Sequence, residues 1–340
     1  MASRKHYLDN MRTIAVLMLF PYHVFVIYNN WGENWYIHSV DLPIPSIIDQ
    51  ICWLWMMPLL FVVAGISSRY ALEKRSAGEY AKERVGKLLL PLGFGMLLIV
   101  PIQSYIAGLF FYGRADYFYY FTNLTDFSGY DGAFTPGHLW FILFLFVISM
   151  ASLPFMVLYR KKGKGVLGDN IPLIWIILMG ILPCLGNEIF DISGKSPTEY
   201  LAFFLLGFFF LSNENVLEKL GKYRFLLLGL FLLGAALTTN FNHILFEMAS
   251  WLSVLAALGM ARRYLNFSGK INRYLTKSSF GVYLFHQTWI VVTGFFILKL
   301  VDDPLGQIPL ILASSVFLTY LTYEIARRAP ALRWMFGLTK

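Results

Sequence analysis

The sequence predicts an all-α fold, a polytopic membrane helix bundle of about ten transmembrane helices, both termini cytoplasmic, formed by one membrane-embedded domain over residues 1–340. Two observations lead to it. First, 57% of the 340 residues are hydrophobic and only 14% are charged, whereas a soluble domain carries about 25% charged residues. Second, the apolar runs reach the roughly 20 residues that a helix needs to cross a bilayer.

Apolar runs follow one another along the whole chain, and each is interpreted as a helix. Backbone polar groups in lipid must bond within their own segment, which favours helices over isolated strands. The seventh and eighth runs are so close, around Thr239 to His243, that a tight hairpin must join them. The predicted spans cover residues 11–31, 47–70, 86–109, 138–159, 171–187, 198–212, 224–240, 243–262, 279–299 and 306–325.

The positive charges indicate the orientation of these spans. Numbering the gaps alternately places all but three of the 28 Lys and Arg residues in the set that contains both termini, and the exceptions are Arg114, Lys195 and Lys299. The positive-inside rule then predicts cytoplasmic N- and C-termini in a bacterial-type plasma (inner) membrane. The net charge of +8 is thereby assigned to topology and membrane lipid, and nucleic-acid binding is not expected.

Cysteine and metal chemistry are not predicted. Cys52 and Cys184 both fall inside apolar runs, where a free Cys usually behaves as a small packing residue. The spacing of the His, Cys, Asp and Glu residues matches no zinc or iron site. We therefore expect no metal and no permanently bound cofactor.

The first predicted span carries two ionisable residues on one face. Arg12 and His23 are eleven residues apart, about 16 Å along a helix, and eleven residues at roughly 100° each return almost to the same side. His23 is thus expected near the bilayer midplane, where an ionisable side chain is a candidate functional group. The alternative is a neutral His bonded to a neighbouring helix, with Arg12 as an ordinary interface cation.

Motifs around these residues resemble the acyltransferase family three membrane proteins, and the resemblance covers the whole chain. The first is the spacing from Arg12 to His23. The others, in chain order, are MPLLF at 57–61 with Gly65, RVGK at 84–87 followed by Leu90 and Pro91, GHLWF at 137–141 and SFGVYLFH at 279–286. Each motif alone is weak, but five in sequence on a ten-helix topology are fairly specific.

The resemblance implies an enzyme that moves a small acyl group, of acetyl or succinyl type, from cytoplasmic acyl-CoA to a hydroxyl of an extracytoplasmic glycan or similar acceptor. Two departures stand out. The family's basic motif usually ends in Arg, whereas this chain has Lys87, and residues 141–145 after Trp140 lack the acid that many members have. In the second departure the chain resembles the branch of periplasmic glucan succinyltransferases.

The resemblance and the residue chemistry together assign roles on the donor side. His23 is the predicted general base, since imidazole titrates near neutral pH, although it could instead carry the acyl group covalently. Arg12 is expected to fix either the donor or the surroundings of His23. Arg84 and Lys87 are expected to bind the phosphates of CoA. The other cations of the predicted cytoplasmic loop 69–87 are expected only to set topology or touch anionic lipid.

Further candidates lie on later spans. Tyr283 and His286 share a helix face and are predicted beside the donor, or else form a packed polar pair. His138 and Trp140 are predicted to line the acceptor entrance, or else anchor the helix at the interface. The role of Glu247 stays open.

The outer segment FFYGRADYFYYF at 110–121 contains Asp116 and is followed by Asp126 and Asp131 in one long loop. It would suit a sugar ring, although an interfacial aromatic belt is the alternative. The rival function is a transporter or flippase for a polar or lipid-linked solute, in which the midplane Arg and His line the path. Such folds often show inverted repeats, and none is evident. The oligomeric state is not predicted.

Overall fold

A computed structural model describes residues 5–32, 35–114, 116–122, 124, 133–161, 170–238 and 243–338. Every regular element in these ranges is a helix. The α-helices are α1 His6–Val26, α2 Pro43–Lys74, α3 Ala77–Arg84, α4 Leu90–Leu98, α5 Val100–Tyr112, α6 Trp140–Lys161, α7 Leu173–Leu178, α8 Ile181–Asn187, α9 Pro197–Phe209, α10 Glu214–Lys222, α11 Arg224–Leu237, α12 His243–Tyr264, α13 Lys270–Leu300, α14 Pro304–Arg328 and α15 Pro330–Met335. A π-helical turn, Val85–Leu89, joins α3 to α4, and 3₁₀ turns cover Tyr117–Phe121 and Gly137–Leu139.

Several of these helices are suited to a membrane. Within the described ranges, six are long and apolar enough to cross one, and α9 with α10 would add a seventh if that pair, bent by 105°, is a single span. The six are Pro43–Lys74, Ala77–Tyr112, Gly137–Lys161, His243–Tyr264, Lys270–Leu300 and Pro304–Arg328. These lengths and compositions indicate an integral membrane protein, whereas the count of ten spans and the side of each terminus stay predictions.

The structure places helix where the sequence predicted cytoplasmic loops. The predicted loop 212–224 contains α10, and α13 begins at Lys270, nine residues before the predicted span. Helix α10 buries Val216, Leu217 and Leu220 between charged positions, and the side chain of Asn213 caps its first turn. Such an amphipathic helix is not recognised by an apolar-run criterion, because its polar face lowers the mean hydropathy.

The helices group into two compact units. The first unit comprises the described parts of Met1–Arg12, Trp53–Arg84 and Phe144–Arg273. The second unit comprises those of Thr13–Cys52, Val85–Leu143 and Tyr274–Lys340.

Two glycines bring α2 and α9 into backbone contact inside the first unit. A Cβ placed on Gly65 would lie 2.1 Å from the carbonyl oxygen of Phe204, and one on Gly207 would lie 2.4 Å from that of Val62. Small residues allow membrane helices to approach this closely, where dispersion contacts provide the packing energy. We call this contact the glycine crossing.

In the second unit, the chain folds back over the end of α1. The amides of Ser39 and Leu42 donate to the carbonyls of Ile27 and Tyr28, at 2.8 and 2.9 Å. The hydroxyl of Tyr28 in turn donates to Gln307 on α14, at 3.0 Å. This return brings the described part of the segment after α1 back beside the helix.

Candidate active site

His23 lies on α1 beside an aromatic residue from the returning segment. Its ring is half-buried and stacks on the indole of Trp35, with ring centroids 5.4 Å apart and planes inclined by 7°. The ring of Tyr22 meets it edge-on at 4.8 Å. The Nδ1 atom of His23 is buried and has no hydrogen-bond partner among the described residues.

His286 on α13 adjoins His23, with ring centroids 5.2 Å apart, and its side chain is fully buried. Its Nδ1 lies 2.7 Å from the backbone oxygen of Tyr283. Because a carbonyl oxygen only accepts, Nδ1 must carry the hydrogen, and a neutral ring then has its lone pair on Nε2. That Nε2 is buried without a partner in the described part of the chain.

His138 completes the group, with its ring 5.3 Å from that of His286. Its Nε2 donates to the backbone oxygen of Leu284 at 3.0 Å, so its Nδ1 is the acceptor and faces the amide nitrogen of Gln103 at 3.4 Å. The phenol of Tyr283 donates to the backbone oxygen of His138. Both ring nitrogens of His138 are therefore engaged.

Side-chain amides hydrogen-bond around the three histidine rings. Gln103 on α5 donates to the hydroxyl of Thr288 at 2.7 Å and accepts from the amide of Gln287 at 3.0 Å. The turn that presents His138 begins at Gly137, whose φ is +52°. A Cβ there would lie 2.9 Å from the hydroxyl of Tyr36, so glycine is required for both reasons.

We refer to His23, His138, His286, Tyr283 and Trp35 as the histidine cluster. All five belong to the second unit. Nε2 of His286 carries a lone pair, and Nδ1 of His23 carries one when the ring is protonated at Nε2. Such a nitrogen can accept a proton from a hydroxyl group and return it to a leaving group. Among the described residues, no three His, Cys, Asp or Glu side chains are arranged to hold a metal ion.

The structure brings only part of the predicted site together. His23, Tyr283, His286 and His138 meet in the histidine cluster, so the residues predicted for the donor and the acceptor adjoin one another. The start of α6 holds Trp140, whose ring lies 6.5 Å from that of Phe141.

The predicted cations have protein partners or line a groove. Arg12 bonds Asp9 at 2.8 Å. Arg84 donates to the hydroxyl of Ser68 at 2.9 Å and lies over the ring of Tyr80, 4.7 Å from its centroid. Lys87 lines an open groove of the second unit, which is described below.

Three members of the arrangement were not predicted. Gln103 and Gln287 are polar residues inside apolar runs, which is a usable signal for buried function. Trp35 lies in a segment without helical periodicity, and no sequence pattern assigns it to His23.

A second buried polar pair lies in the first unit. Glu199 on α9 and Glu247 on α12 are 8% and 5% exposed, and their side chains hydrogen-bond to each other. Two carboxyl groups can share a hydrogen bond only if one is protonated. In the aromatic outer segment, Tyr117–Phe121 forms a 3₁₀ turn in which the Asp116 side chain accepts from the amide of Phe118. Asp126 and Asp131 lie outside the described residues.

Comparison with known proteins gives one consistent result. The family described as "Acyltransferase domain" matches residues 5–324. The proteins named Glucans biosynthesis protein C from three strains of Escherichia coli are 22% identical to this chain, and the alignments cover 99% of it and 95% of each relative. No solved structure is similar enough to count as a match.

Proposed function

Because the chain belongs to the acyltransferase family and is therefore a transferase, we propose that it transfers a small acyl group, acetyl or succinyl, from cytoplasmic acyl-CoA to a hydroxyl of an extracytoplasmic glycan. The name of the E. coli relatives supports a glucan as the acceptor. The membrane helices support an enzyme whose two substrates arrive from opposite sides. In the proposed topology ten spans, with both termini in the cytoplasm, cross a bacterial inner membrane.

The observation that carries this proposal is the histidine cluster with its two unpartnered nitrogens, Nδ1 of His23 and Nε2 of His286. Packing alone does not account for them, since a buried polar atom without a partner costs free energy. A substrate hydroxyl placed between the two rings would donate its hydrogen to one of these nitrogens. The cluster therefore supplies what acyl transfer needs first, a base beside the attacking oxygen.

In the proposed reaction, His23 takes the proton of the acceptor hydroxyl as its oxygen attacks the thioester carbonyl. The carbon–sulfur bond breaks when the tetrahedral intermediate collapses, and the CoA thiolate leaves with the proton returned from His23. His286 is buried against His23, and its Nε2 is a second acceptor for the same proton. Arg12, Arg84 and Lys87 attract the charged donor, Tyr283 lies beside it, and His138 and Trp140 receive the acceptor.

Residues proposed for the two substrates have to meet for direct transfer to occur. His138, assigned to the acceptor, and Tyr283, assigned to the donor, have ring centroids 5.7 Å apart. This proximity supports a single transfer point and requires no movement of an acyl carrier between two sites.

The test uses the purified protein in lipid vesicles with succinyl-CoA or acetyl-CoA and a periplasmic glucan. We expect release of free CoA thiol that depends on the glucan, together with a glucan heavier by one acyl group. His23→Ala should reduce the rate by about 100-fold or more, the range of general base catalysis. His243→Ala, a change to the exposed His at the start of α12, is the matched control and should leave it unchanged.

Two outcomes would overturn the proposal. The first is wild-type protein that releases no CoA with any acceptor while moving unmodified glucan across the vesicle membrane, which would indicate a transporter. The second is a His23→Ala variant that turns over at the wild-type rate.

A further inference from the structure

An open groove of about 450 Å³ lies in the second unit, and its lining residues do not include those of the histidine cluster. One wall is the π-helical turn Val85–Leu89 with the start of α4, and the other is α15 with the turn that follows it. The groove is lined by two cationic side chains, Lys87 and Arg333, and by the indole of Trp334. Its volume is within the range of small-molecule sites, roughly 300–1,000 Å³.

The C-terminal segment that forms one wall is docked in place. Phe336 is buried, and its ring meets that of Phe285 on α13 with centroids 5.2 Å apart. Gly337 has a φ of +59°, and a Cβ on it would lie 3.2 Å from the carbonyl oxygen of Gly86. The segment therefore fits closely against the turn that carries Lys87.

The wall opposite the C-terminal segment is formed by the π-helical turn Val85–Leu89. A π-helical turn inserts an extra residue into a helix and is frequent at functional sites. Here it places Lys87 on the groove, and the carbonyl oxygen of Gly86 faces Gly337 of the C-terminal segment. The turn ends two residues before Pro91, whose ring would also be met by a Cβ on Gly337, at 3.1 Å.

The side chains of the groove match one class of ligand. A guanidinium and an ammonium group together attract phosphate oxygens through charge-assisted hydrogen bonds. Trp334 is 63% exposed and meets the ring of Phe94 edge-to-face at 5.7 Å, and an indole face stacks well on a nucleobase. Phosphates beside a flat base are the chemistry of a nucleotide.

We propose that this groove binds the phosphorylated adenosine end of the acyl-CoA donor, with Lys87 and Arg333 on its phosphates and Trp334 stacked on its adenine. The inference rests on the proposed function, since it presumes a CoA thioester as donor. It adds Arg333 and Trp334, on the C-terminal segment, to the donor site. These residues bind the donor and take no part in bond making.

Binding of CoA and of 3′-dephospho-CoA to the purified full-length protein, measured by calorimetry in detergent, tests the proposal. Arg333→Ala should weaken CoA binding about tenfold, the loss of one charge-assisted contact of roughly 1.4 kcal/mol, and should reduce the preference for CoA over 3′-dephospho-CoA. Trp334→Leu should weaken both ligands alike. Arg328→Ala is the matched control, because Arg328 is 72% exposed and pairs with Glu324 at the end of α14.

Steady-state kinetics provide the second readout. Arg333→Ala and Trp334→Leu should raise KM for the acyl-CoA about tenfold and leave kcat nearly unchanged, because uniform binding is lost and transition-state contacts are not. His23→Ala should show the opposite pattern, with CoA binding retained and turnover lost.

The outcomes distinguish failure of the groove as donor site from failure of the proposed acyl-CoA function. If wild-type protein neither binds CoA nor releases it, the acyl-CoA function itself fails. If wild-type protein binds CoA and both variants bind it equally well, the groove is not the donor site. A third outcome, in which the variants lose binding to phosphatidylglycerol vesicles but keep binding to CoA, would assign the groove to lipid headgroups and overturn the proposal.

Discussion

The glycine crossing of the first unit and the histidine cluster of the second are both buried, yet they use burial in opposite ways. At the crossing, Gly65 and Gly207 bring backbone against backbone and leave no room for even one added carbon. In the cluster, His23 and His286 fill the interior with polar rings, each of which has one nitrogen without a partner among the described residues.

The difference separates stability from function. Close backbone contact is a sufficient physical reason for glycine, since dispersion between membrane helices grows as they approach. No packing argument requires imidazole at the cluster, because Leu or Phe would fill similar space without unpaired nitrogens. We therefore expect substitutions at the crossing to remove the folded protein, and substitutions in the cluster to remove activity from a protein that still folds.

The largest expected effect follows from filling the crossing. Gly207→Val would place side-chain carbons within the space of the Val62 backbone oxygen, 2.4 Å from an ideal Cβ, and a backbone atom cannot rotate away. We expect a loss of about 3 kcal/mol or more, the upper end of overpacking effects. The measurement is the yield of monodisperse protein in size-exclusion chromatography and its thermal unfolding temperature.

Gly229→Val is the matched control for that change. Gly229 lies inside α11, and a Cβ there meets no atom within 4 Å, so the variant should unfold within a few degrees of wild type. Equal yields and unfolding temperatures for the two variants would contradict this prediction, because α2 and α9 could then move apart at the crossing without loss of stability.

The second-largest effect is expected in the histidine cluster, at His286. His286→Asn retains an amide hydrogen in the place of Nδ1–H, which can still donate to the carbonyl of Tyr283, but it removes the lone pair at Nε2. We expect thioester turnover to fall by about 100-fold, with an unfolding temperature close to that of wild type. CoA release and thermal unfolding are measured on the same preparation.

His286→Gln is the companion variant. Its longer side chain puts an amide near the position of Nε2 but gives up the bond to Tyr283, so it should lose more stability than His286→Asn. If His286→Asn turned over normally, the unpartnered Nε2 would have no part in the reaction and His23 alone would remain as base.

Sequence reasoning identified the polar residues of the cluster and missed the contacts between them. His23, His138 and His286 were found because an ionisable residue in an apolar run is costly and needs a reason. Their meeting depends on how distant helices pack, since His138 and His286 are 148 positions apart, and one sequence does not determine that. Trp35 was missed because it lies outside any periodic segment.

The fold was predictable to a similar degree. Among the described residues, long apolar runs identified six helices that are long and apolar enough to cross a membrane, because hydropathy over about 20 residues follows directly from the need to match the bilayer. The extension of α13 to Lys270 and the helix α10 were missed, since each gains stability from partners that a local pattern does not contain. The two units interleave along the chain, so no composition shift marks them.

A smaller effect is expected at the support of the cluster. Gln103→Leu would remove the contact to Nδ1 of His138 and the bonds to Thr288 and Gln287, and the His138 ring would lose its fixed orientation. Because Gln103 is a positioning residue, Gln103→Leu should raise KM for the glycan by about tenfold with a smaller loss in kcat. Gln103→Glu retains the acceptor for Gln287 and should recover part of the loss, which a purely packing role would not produce.

The smallest effect tests how far the cluster extends. Trp35 contacts His23 only through ring stacking, at 5.4 Å, and such a pair contributes about 0.5–1.5 kcal/mol beyond its area. Trp35→Phe retains a ring and should lower kcat less than threefold, whereas Trp35→Leu removes the stack and should lower it about three- to tenfold, with the same order in both assays of CoA release and glucan mass. Trp31→Leu, on an indole that is 42% exposed in the same segment, is the control and should behave as wild type. Equal turnover in all three variants would place Trp35 outside the site and reduce the cluster to its three histidines and Tyr283.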